Sequence, residues 1–101
     1  MDGPIIFIPR NRLFPLGRIY VTQGAAEAFQ RRDVPFIGDI IARHATGDWG
    51  DLDQHDRAMN DAALRDGGRI FSAYQITDDI RVWVITEADR SSTTVLLPSE
   101  Y

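Results

Sequence analysis

Three β-type segments in the last third of the chain constrain the fold more than any other feature. RIFSAYQI (69–76) and IRVWVITE (80–87) are rich in β-branched and aromatic residues, and only residues 77–79 separate them. Because such a short link joins antiparallel neighbours, the two segments predict a β-hairpin. After a turn at 88–91, STTVLLP (92–98) predicts a third strand that ends at a proline. The last third is therefore predicted to be a three-stranded antiparallel meander.

Hydrophobic residues alternate along these segments, and the alternation assigns their side chains to two faces. Successive side chains of a strand point to opposite sides of the sheet, so every second residue shares a face. The strands are predicted at 70–76, 80–86 and 93–97. One face should carry Phe71, Trp83 and Ile85, and the other should carry Tyr74, Val82 and Val84.

The first half of the chain predicts a strand and two short helices. GRIYVTQG (17–24) has the composition of a strand, and AAEAFQRR (25–32) follows as a helix that begins near Thr22 or Gly24. A second helix is predicted over 36–44, with Asp33 as its N-cap and Pro35 in its first turn. Its apolar residues recur at helical spacing and predict one buried face, made by Phe36 or Ile37 with Ile40 and Ile41.

A third helix is predicted over 52–65, between a glycine-containing loop and a pair of glycines. Asp51 is expected to be its N-cap, and Gln54 three residues later completes a capping-box pattern. Gly67 and Gly68 are expected to end it. An N-terminal strand, two to three short helices and an antiparallel meander define an α+β fold.

Length and composition indicate one soluble domain. A chain of 101 residues is sufficient for a single core, which we assign to 13–101, with residues 1–12 as an N-terminal extension. No apolar run approaches the roughly 20 residues that cross a membrane. The chain has no cysteine and no signal-peptide pattern, so a cytoplasmic location is expected.

The charge of the chain is distributed unevenly. Its net charge is −4, and all eleven basic residues are arginine. Residues 1–32 carry five arginines and two acids, a net charge of +3, whereas 33–68 carry eight aspartates and three arginines, a net charge of −5. Cationic contacts supply most of the affinity for a nucleic-acid backbone. We therefore do not expect this acidic domain to bind nucleic acid directly.

The loop HATGDWGDLDQHD (44–56) contains two histidines and four aspartates, residue types that can bind a metal ion. A calcium loop starting at Asp51 would need glycine where Asp56 stands and glutamate where Ala62 stands, and the match fails. A zinc helix needs histidines four residues apart, and His44 and His55 are eleven apart. We expect no metal and a structural loop with a helix cap. A non-standard carboxylate site remains the alternative, formed by Asp48, Asp51 and Asp53.

A second cluster, TEADRSSTT (86–94), raises the question of catalysis. Metal-independent cleavage of RNA needs a base, a cation for the phosphate and an acid, and His44, Arg90, Ser91 and Thr93 are the candidate residues. Helices followed by an antiparallel meander are similar in layout to barnase and to the ribosome-dependent messenger RNA interferases. The structural alternative is an ordinary hairpin turn, because turns attract these residue types. His44 itself lies on the apolar side of its helix, which favours a buried histidine.

Three stretches together resemble a known group of proteins. RHATGDWGDLDQHD, GGRIFSAYQI and VWVITEADRSSTTVLLPSEY are similar to a family of small bacterial proteins carried on plasmids, phages and integrative elements, of the "plasmid-related protein" type. The resemblance covers residues 13–101. It implies a mobile genetic element as context, and it supplies no established activity or cofactor.

That context favours binding over catalysis. We expect a non-enzymatic inhibitor of a host-defence or nucleic-acid-handling protein, of the anti-CRISPR or anti-restriction type, whose partner is a host or phage protein. The expected binding surface is the loop and the third helix, with Asp48, Trp49, Asp51, Asp53, Asp56 and Asp61. A toxin-like ribonuclease that uses the second cluster is the alternative. No cofactor is expected for either function.

Overall fold

A four-stranded mixed sheet is the framework of the protein, which we describe from a computed structural model for residues 9–101. The elements follow one another as β1 (Arg18–Val21), α1 (Gln23–Ala28), α2 (Ile37–Ala45), α3 (Gln54–Asp66), β2 (Ile70–Gln75), β3 (Arg81–Thr86), β4 (Ser92–Leu96) and a final 3-10 turn (Pro98–Glu100). The predicted α+β class is confirmed. Most of the predicted N-terminal extension, residues 1–8, lies outside the described residues.

The predicted meander is confirmed, and the first strand joins it in an unpredicted way. Strands β2 and β3 pair antiparallel, as do β3 and β4. Strand β1 pairs with β4 in parallel, so the order across the sheet is β1-β4-β3-β2. The short turns between β2, β3 and β4 predict antiparallel neighbours from local sequence. The parallel pairing of β1 with β4 joins segments far apart in the chain, so no local sequence pattern predicts it.

The two predicted faces of the meander are also confirmed. Phe71 pairs with Ile85 on one face, and Tyr74 pairs with Val82 on the other. The helices cover the Tyr74 face, where Tyr74, Val82, Val84 and Val95 are at most 1% exposed. From α2, Ile40 and Ile41 enter this core, while Ile37 is half-buried and Phe36 is exposed. On the opposite face, the rings of Phe71, Trp83 and Tyr101 meet edge to face.

Of the predicted starts of the first two helices, one is confirmed and the other is wrong. The Thr22 side chain accepts a hydrogen bond from the backbone N–H of Ala25 and caps α1, as expected. Helix α2 begins after Phe36 without a side-chain cap. Asp33 instead pairs with Arg31, with an N–O distance of 2.6 Å. The residue before Pro35 avoids helical geometry, so a cap at Asp33 is too early for this helix.

The predicted cap of α3 is wrong by two residues. Asp53, not Asp51, is the N-cap, and its Oδ1 accepts a hydrogen bond from the backbone N–H of Asp56 at 2.8 Å. Asp51 is held by β2, because its backbone N–H donates to the Ala73 carbonyl at 2.7 Å. Its carboxylate accepts the backbone N–H of Gln75 at 2.8 Å. The C-terminal prediction is confirmed, since Gly67 ends α3 in the left-handed conformation.

Residues 49–51 and one side chain of α3 cover the outer edge of β2. The backbone N–H of Ala73 donates to the Trp49 carbonyl at 3.2 Å, and Gly50 forms a bridge to the same residue. The Asn60 side chain accepts the N–H of Phe71 at 3.0 Å and donates to its carbonyl at 2.6 Å. The backbone groups on this edge are thereby satisfied, which protects an edge strand from unintended pairing.

Candidate functional site

His44, the candidate base, lies in the core between α2 and the sheet. It is 0% exposed, and its ring contacts hydroxyl groups of two strands. Its Nδ1 lies 2.6 Å from the Ser72 Oγ, and its Nε2 lies 2.9 Å from the Thr86 Oγ1. Thr86 continues to Thr93 at 2.7 Å, and the Thr93 hydroxyl donates to the Leu16 carbonyl at 2.7 Å.

The chain of hydroxyls fixes the tautomer of His44. Each hydroxyl has one hydrogen, and Thr93 uses its hydrogen on the Leu16 carbonyl. Thr86 must therefore donate to Thr93, which leaves Thr86 to accept from the His44 Nε2–H. Nδ1 is then the acceptor, and Ser72 donates to it. Neutral His44 satisfies the whole network without a charge.

Burial keeps His44 neutral. Desolvation disfavours the imidazolium ion and lowers the pKa of His44 to about 3. The Ser72 hydroxyl donates to a ring nitrogen as in a nucleophile–base pair, but Ser72 is also 0% exposed. A substrate would need the core to open before it reached either group, so the geometry supports a structural role for the pair.

Arg90, the candidate cation, binds backbone carbonyls where α3 ends. Its guanidinium donates to the carbonyls of Gly68 at 2.6 Å and Ala63 at 3.1 Å, and to two carbonyls of its own turn. It also lies over the Phe14 ring, 5.7 Å from the ring centroid. Arg90 adopts a positive φ of 62°. These contacts stabilise the C-terminal end of α3, where cations are favoured.

The remaining members of the candidate catalytic set, Ser91 and Thr93, do not share an environment. Thr93 faces the core at 0% exposure, where the network to His44 includes it. Ser91 is exposed in the turn, and its N–H donates to the Asp89 carboxylate at 2.9 Å. The structure therefore brings His44 and Thr93 into one buried network and leaves Ser91 outside it.

The acidic loop uses several of its charges within the fold. Asp48 pairs with Arg43 at 2.7 Å, and this arginine lowers the pKa of the Asp48 carboxyl below its usual range. As described above, Asp51 binds the edge of β2, and Asp53 caps α3. All three side chains remain exposed, so their charges still contribute to the surface.

Trp49 was expected on the binding surface, and the structure places it in the core instead. Its side chain is 5% exposed and stacks on Phe14, with ring centroids 6.3 Å apart. Its Nε1 donates to the Asp61 carboxylate at 3.4 Å. An indole in this position packs α3 against the loop and offers a partner almost no surface.

The carboxylates of α3 do not form one face. Asp56, Asp61 and Asp66 are spaced five residues apart, and five residues turn a helix by about 140°. Asp61 therefore lies on the Trp49 side, whereas Asp66 lines a shallow groove of about 410 Å³ with Met59, Ala62 and Arg69. Met59 is 59% exposed there.

The described residues form neither a metal-binding cluster nor a membrane-spanning helix. Between residues 9 and 101, no group of three or more His, Asp or Glu side chains is arranged to hold a metal ion. Within that part of the chain, no helix has the length and apolar character to span a bilayer.

Comparisons with known proteins add no further information about this site. The chain has no significant similarity to any protein-family model, curated protein or solved structure with which it was compared.

Sequence analysis missed the two hydroxyls that bind His44. Ser72 and Thr86 occupy core-facing positions of β2 and β3, opposite Val84 and Ile70. Polar residues on the apolar side of a strand need a partner when buried, and this rule is the signal that could have found them. Sequence alone does not tell which helix supplies that partner.

Proposed function

We propose that this protein is a non-catalytic binding protein of a mobile genetic element that inhibits a nucleic-acid-handling partner protein. One observation carries the proposal: residues 48–66 hold six aspartates and two arginines, a net charge of −4, on one loop and one helix. Within residues 9–101, Asp56 and Asp66 form no ion pair. Their charges are therefore available to a partner.

The Met59 groove gives this acidic surface an apolar centre. Met59 follows Asp56 by three residues, so the two side chains are neighbours on the helix surface. Asp66 and Ala62 line the same groove. Exposed methionine beside charged groups is typical of protein interfaces, where an apolar centre is surrounded by a polar rim.

A basic groove that normally binds nucleic acid is the complementary surface. Carboxylates on a rigid helix attract such a groove over distances of about 8–10 Å at physiological salt, and the attraction weakens as salt rises. Occupation of the groove by this helix would exclude the nucleic acid. Inhibition then needs no catalytic group.

The structural partners of His44 and Arg90 support binding over catalysis. The histidine that a ribonuclease would use is fully buried, and the arginine donates to four carbonyls of the fold. Each group has a structural partner that accounts for its presence in the sequence. By contrast, Asp66 forms no ion pair within residues 9–101, and the Met59 side chain beside it is 59% exposed.

The test reverses the charge of Asp66, which lines the groove, and of Asp56, which neighbours Met59 on the helix. Protein immobilised on a resin is incubated with a bacterial host lysate at low salt, and bound proteins are identified by mass spectrometry. We expect the wild-type protein to retain a nucleic-acid-binding protein, and we expect Asp56→Lys/Asp66→Lys to lose it. The retained protein, once purified, should release labelled nucleic acid when the wild-type protein is added.

A matched variant controls for net charge. Asp39→Lys/Asp78→Lys changes the charge by the same amount at exposed positions in α2 and in the β2–β3 turn, neither of which lines the groove, and it should retain the partner. If both variants lost the partner equally, net charge alone would explain the loss, and the proposed binding surface would be contradicted. Retention by the groove variant, or no retained partner at all, would contradict the proposal as well.

A further inference from the structure

The two outer edges of the sheet differ in whether other parts of residues 9–101 form hydrogen bonds with them. Residues 49–51 and Asn60 satisfy the backbone groups along the edge of β2. The opposite edge belongs to β1, and none of the residues 9–101 pairs with its outer side. An edge strand presents a row of N–H and C=O groups that can pair with another strand.

The direction of these groups follows from the pairing of β1 with β4. The backbone N–H of Arg18 donates to the carbonyl of Ser91, just before β4, and that of Thr22 donates to the carbonyl of Val95 in β4, each at 3.0 Å. Because the direction alternates along a strand, the N–H and C=O groups of Ile19 and Val21 point away from the sheet. They can form hydrogen bonds with an additional strand.

An apolar groove runs beside this edge. It has a volume of about 480 Å³ and lies between β1, α1 and the start of α2, where it is lined by Val21, Ala26, Phe29, Gln30, Phe36 and Ile37. Phe36 is 52% exposed and Val21 is 36% exposed. A side chain from a strand beside β1 would enter this groove from the helix-covered side of the sheet.

We propose that the β1 edge binds an extended segment of a partner protein, which adds a fifth strand to the sheet. The outward N–H and C=O groups at alternate residues of β1 fit the backbone of an extended strand. The groove beside them fits an apolar side chain of that strand. Proteins that recognise peptides by strand addition combine these two features, with affinity from the main chain and specificity from side-chain pockets.

Charge favours a foreign segment over a second copy of this chain. Arg18 is exposed on β1 and forms no ion pair within residues 9–101. Pairing two β1 edges would add a second unpaired arginine to the same small surface. A segment with a carboxylate beside Arg18 gains an attraction instead.

The pairing defines the sequence that fits. Antiparallel pairing is the more stable arrangement, and residues directly opposite one another share a face. Apolar residues of the segment should lie opposite Val21 and, two positions later, opposite Ile19. An acidic residue should follow immediately, opposite Arg18. The preferred segment is therefore apolar-any-apolar-acidic.

This inference goes beyond the proposed function and concerns a different surface. The Met59 groove of α3 lies beside β2, at the other end of the sheet. The charge reversals on α3 leave the β1 edge unchanged, so the two proposals fail or succeed separately.

The probe is a fluorescein-labelled peptide, Gly-Thr-Phe-Thr-Ile-Glu-Thr-Gly, whose binding to the full chain is measured by fluorescence anisotropy. The control peptide, Gly-Phe-Ile-Thr-Glu-Thr-Thr-Gly, has the same composition without the alternation. We expect saturable binding of the probe and at least tenfold weaker binding of the control. Equal affinities, or no binding of the probe, would overturn the proposal.

Two substitutions at one position test the backbone contact. Val21→Pro removes an outward N–H that β4 does not use, and Val21→Thr keeps that N–H with a side chain of similar shape. We expect Val21→Pro to bind the probe about tenfold more weakly than Val21→Thr. Equal binding by two folded variants would overturn strand addition.

The groove and the charge are tested in variants that should keep the fold. Phe36→Ser removes one wall of the groove and places a favourable N-cap residue before α2, so weaker probe binding would not reflect unfolding. Arg18→Glu should reverse the preference between the probe and a version with lysine in place of glutamate. An unchanged preference would contradict the predicted register.

Two measurements on the free protein test whether the β1 edge is instead covered by another part of the same chain or by a second copy. Hydrogen exchange at the amides of Ile19 and Val21 should be fast in the free chain and slow with the probe bound. Slow exchange in the free monomer would show that the chain covers its own edge. Sedimentation equilibrium should give a monomer, and a dimer abolished by Val21→Pro would assign the edge to a second copy. Either result would overturn the proposal.

Discussion

The Nδ1 atom of His44 lies 2.6 Å from the Oγ atom of Ser72, and both side chains are fully buried. Through Thr86 and Thr93, the same network reaches β3, β4 and the carbonyl of Leu16. One imidazole therefore connects α2 to three strands and to the segment before β1. This connection requires a neutral ring, because the order of the hydroxyl hydrogens leaves Nδ1 as an acceptor.

Stability should fall as the pH falls from about 6.5 to about 3, because His44 resists protonation. Its pKa is lowered to about 3 in the folded protein, whereas an ordinary histidine has a pKa of about 6.5. In this window the unfolded chain binds a proton that the folded protein does not bind. The contribution of neutral His44 to the free energy of unfolding is therefore complete above pH 6.5 and is lost as the pH falls towards 3. Between about pH 7 and pH 4.5, urea unfolding should reveal a loss on the order of 2–3 kcal/mol from this residue.

His44→Gln isolates that contribution from the carboxylates. Exposed carboxyls with lowered pKa values, such as those of Asp79 and Asp89, also lose stabilising charge on acidification, but they do so in both proteins. The variant should be less stable at neutral pH and should lose less stability on acidification than the wild type. Parallel stability curves for the two proteins would contradict the assignment of a neutral buried ring.

The cap of α3 provides a second prediction. Asp53→Ala should lower the free energy of unfolding by about 1 kcal/mol, because the N–H of Asp56 loses its acceptor. Asp53→Ser should restore most of that loss, since serine is an equally good cap. Chemical denaturation followed by circular dichroism measures both. If Asp51→Ala reduced the helix content and Asp53→Ala did not, the cap would be at the position that sequence analysis predicted.

Two glycines with similar φ angles should respond differently to substitution by alanine. Gly50 has φ +74°, and a Cβ there would lie 2.0 Å from the Ala73 carbonyl oxygen. Gly67 has φ +82° and open space around a Cβ. Gly67→Ala should cost about 1 kcal/mol for the left-handed backbone alone, whereas Gly50→Ala should cost at least about 2 kcal/mol more because the loop must leave the edge of β2. Equal losses in thermal unfolding would contradict this close contact.

The sequence predicted those parts of the fold that depend on local patterns. Alternation assigned the faces of Phe71 and Tyr74, and short turns defined the meander. The position of His44 on the apolar side of α2 predicted its burial. The parallel pairing of β1 with β4 and the partners of His44 depend on contacts between distant segments, so no local pattern contains them. The cap was misplaced because Asp51 and Asp53 fit the same rule, and only the contact with β2 distinguishes them.

The candidate site was predicted less well than the fold, for a related reason. The spacing of aspartates in a sequence does not predict which of them bind other groups of the same chain. In the structure, Asp48 forms an ion pair and Asp53 caps a helix. Helical geometry then separates Asp61 from Asp66. Trp49 shows the same limitation, since an aromatic residue in a loop suits an interface and a core equally well.

The last prediction concerns catalysis. Incubated with labelled RNA in the absence of metal, the purified protein should give no more cleavage than His44→Gln or Arg90→Lys. His44 has no solvent-exposed surface, and Arg90 has backbone carbonyls as partners, so neither group is available to a phosphodiester. Diethylpyrocarbonate tests this access directly, with exposed His55 as the internal reference. Mass spectrometry should find His55 modified and His44 unmodified in the folded chain. The opposite result would be rapid modification of His44 together with RNA cleavage that a folded His44→Gln variant lacks. It would show that the core opens to substrate, and it would favour a ribonuclease over a binding protein.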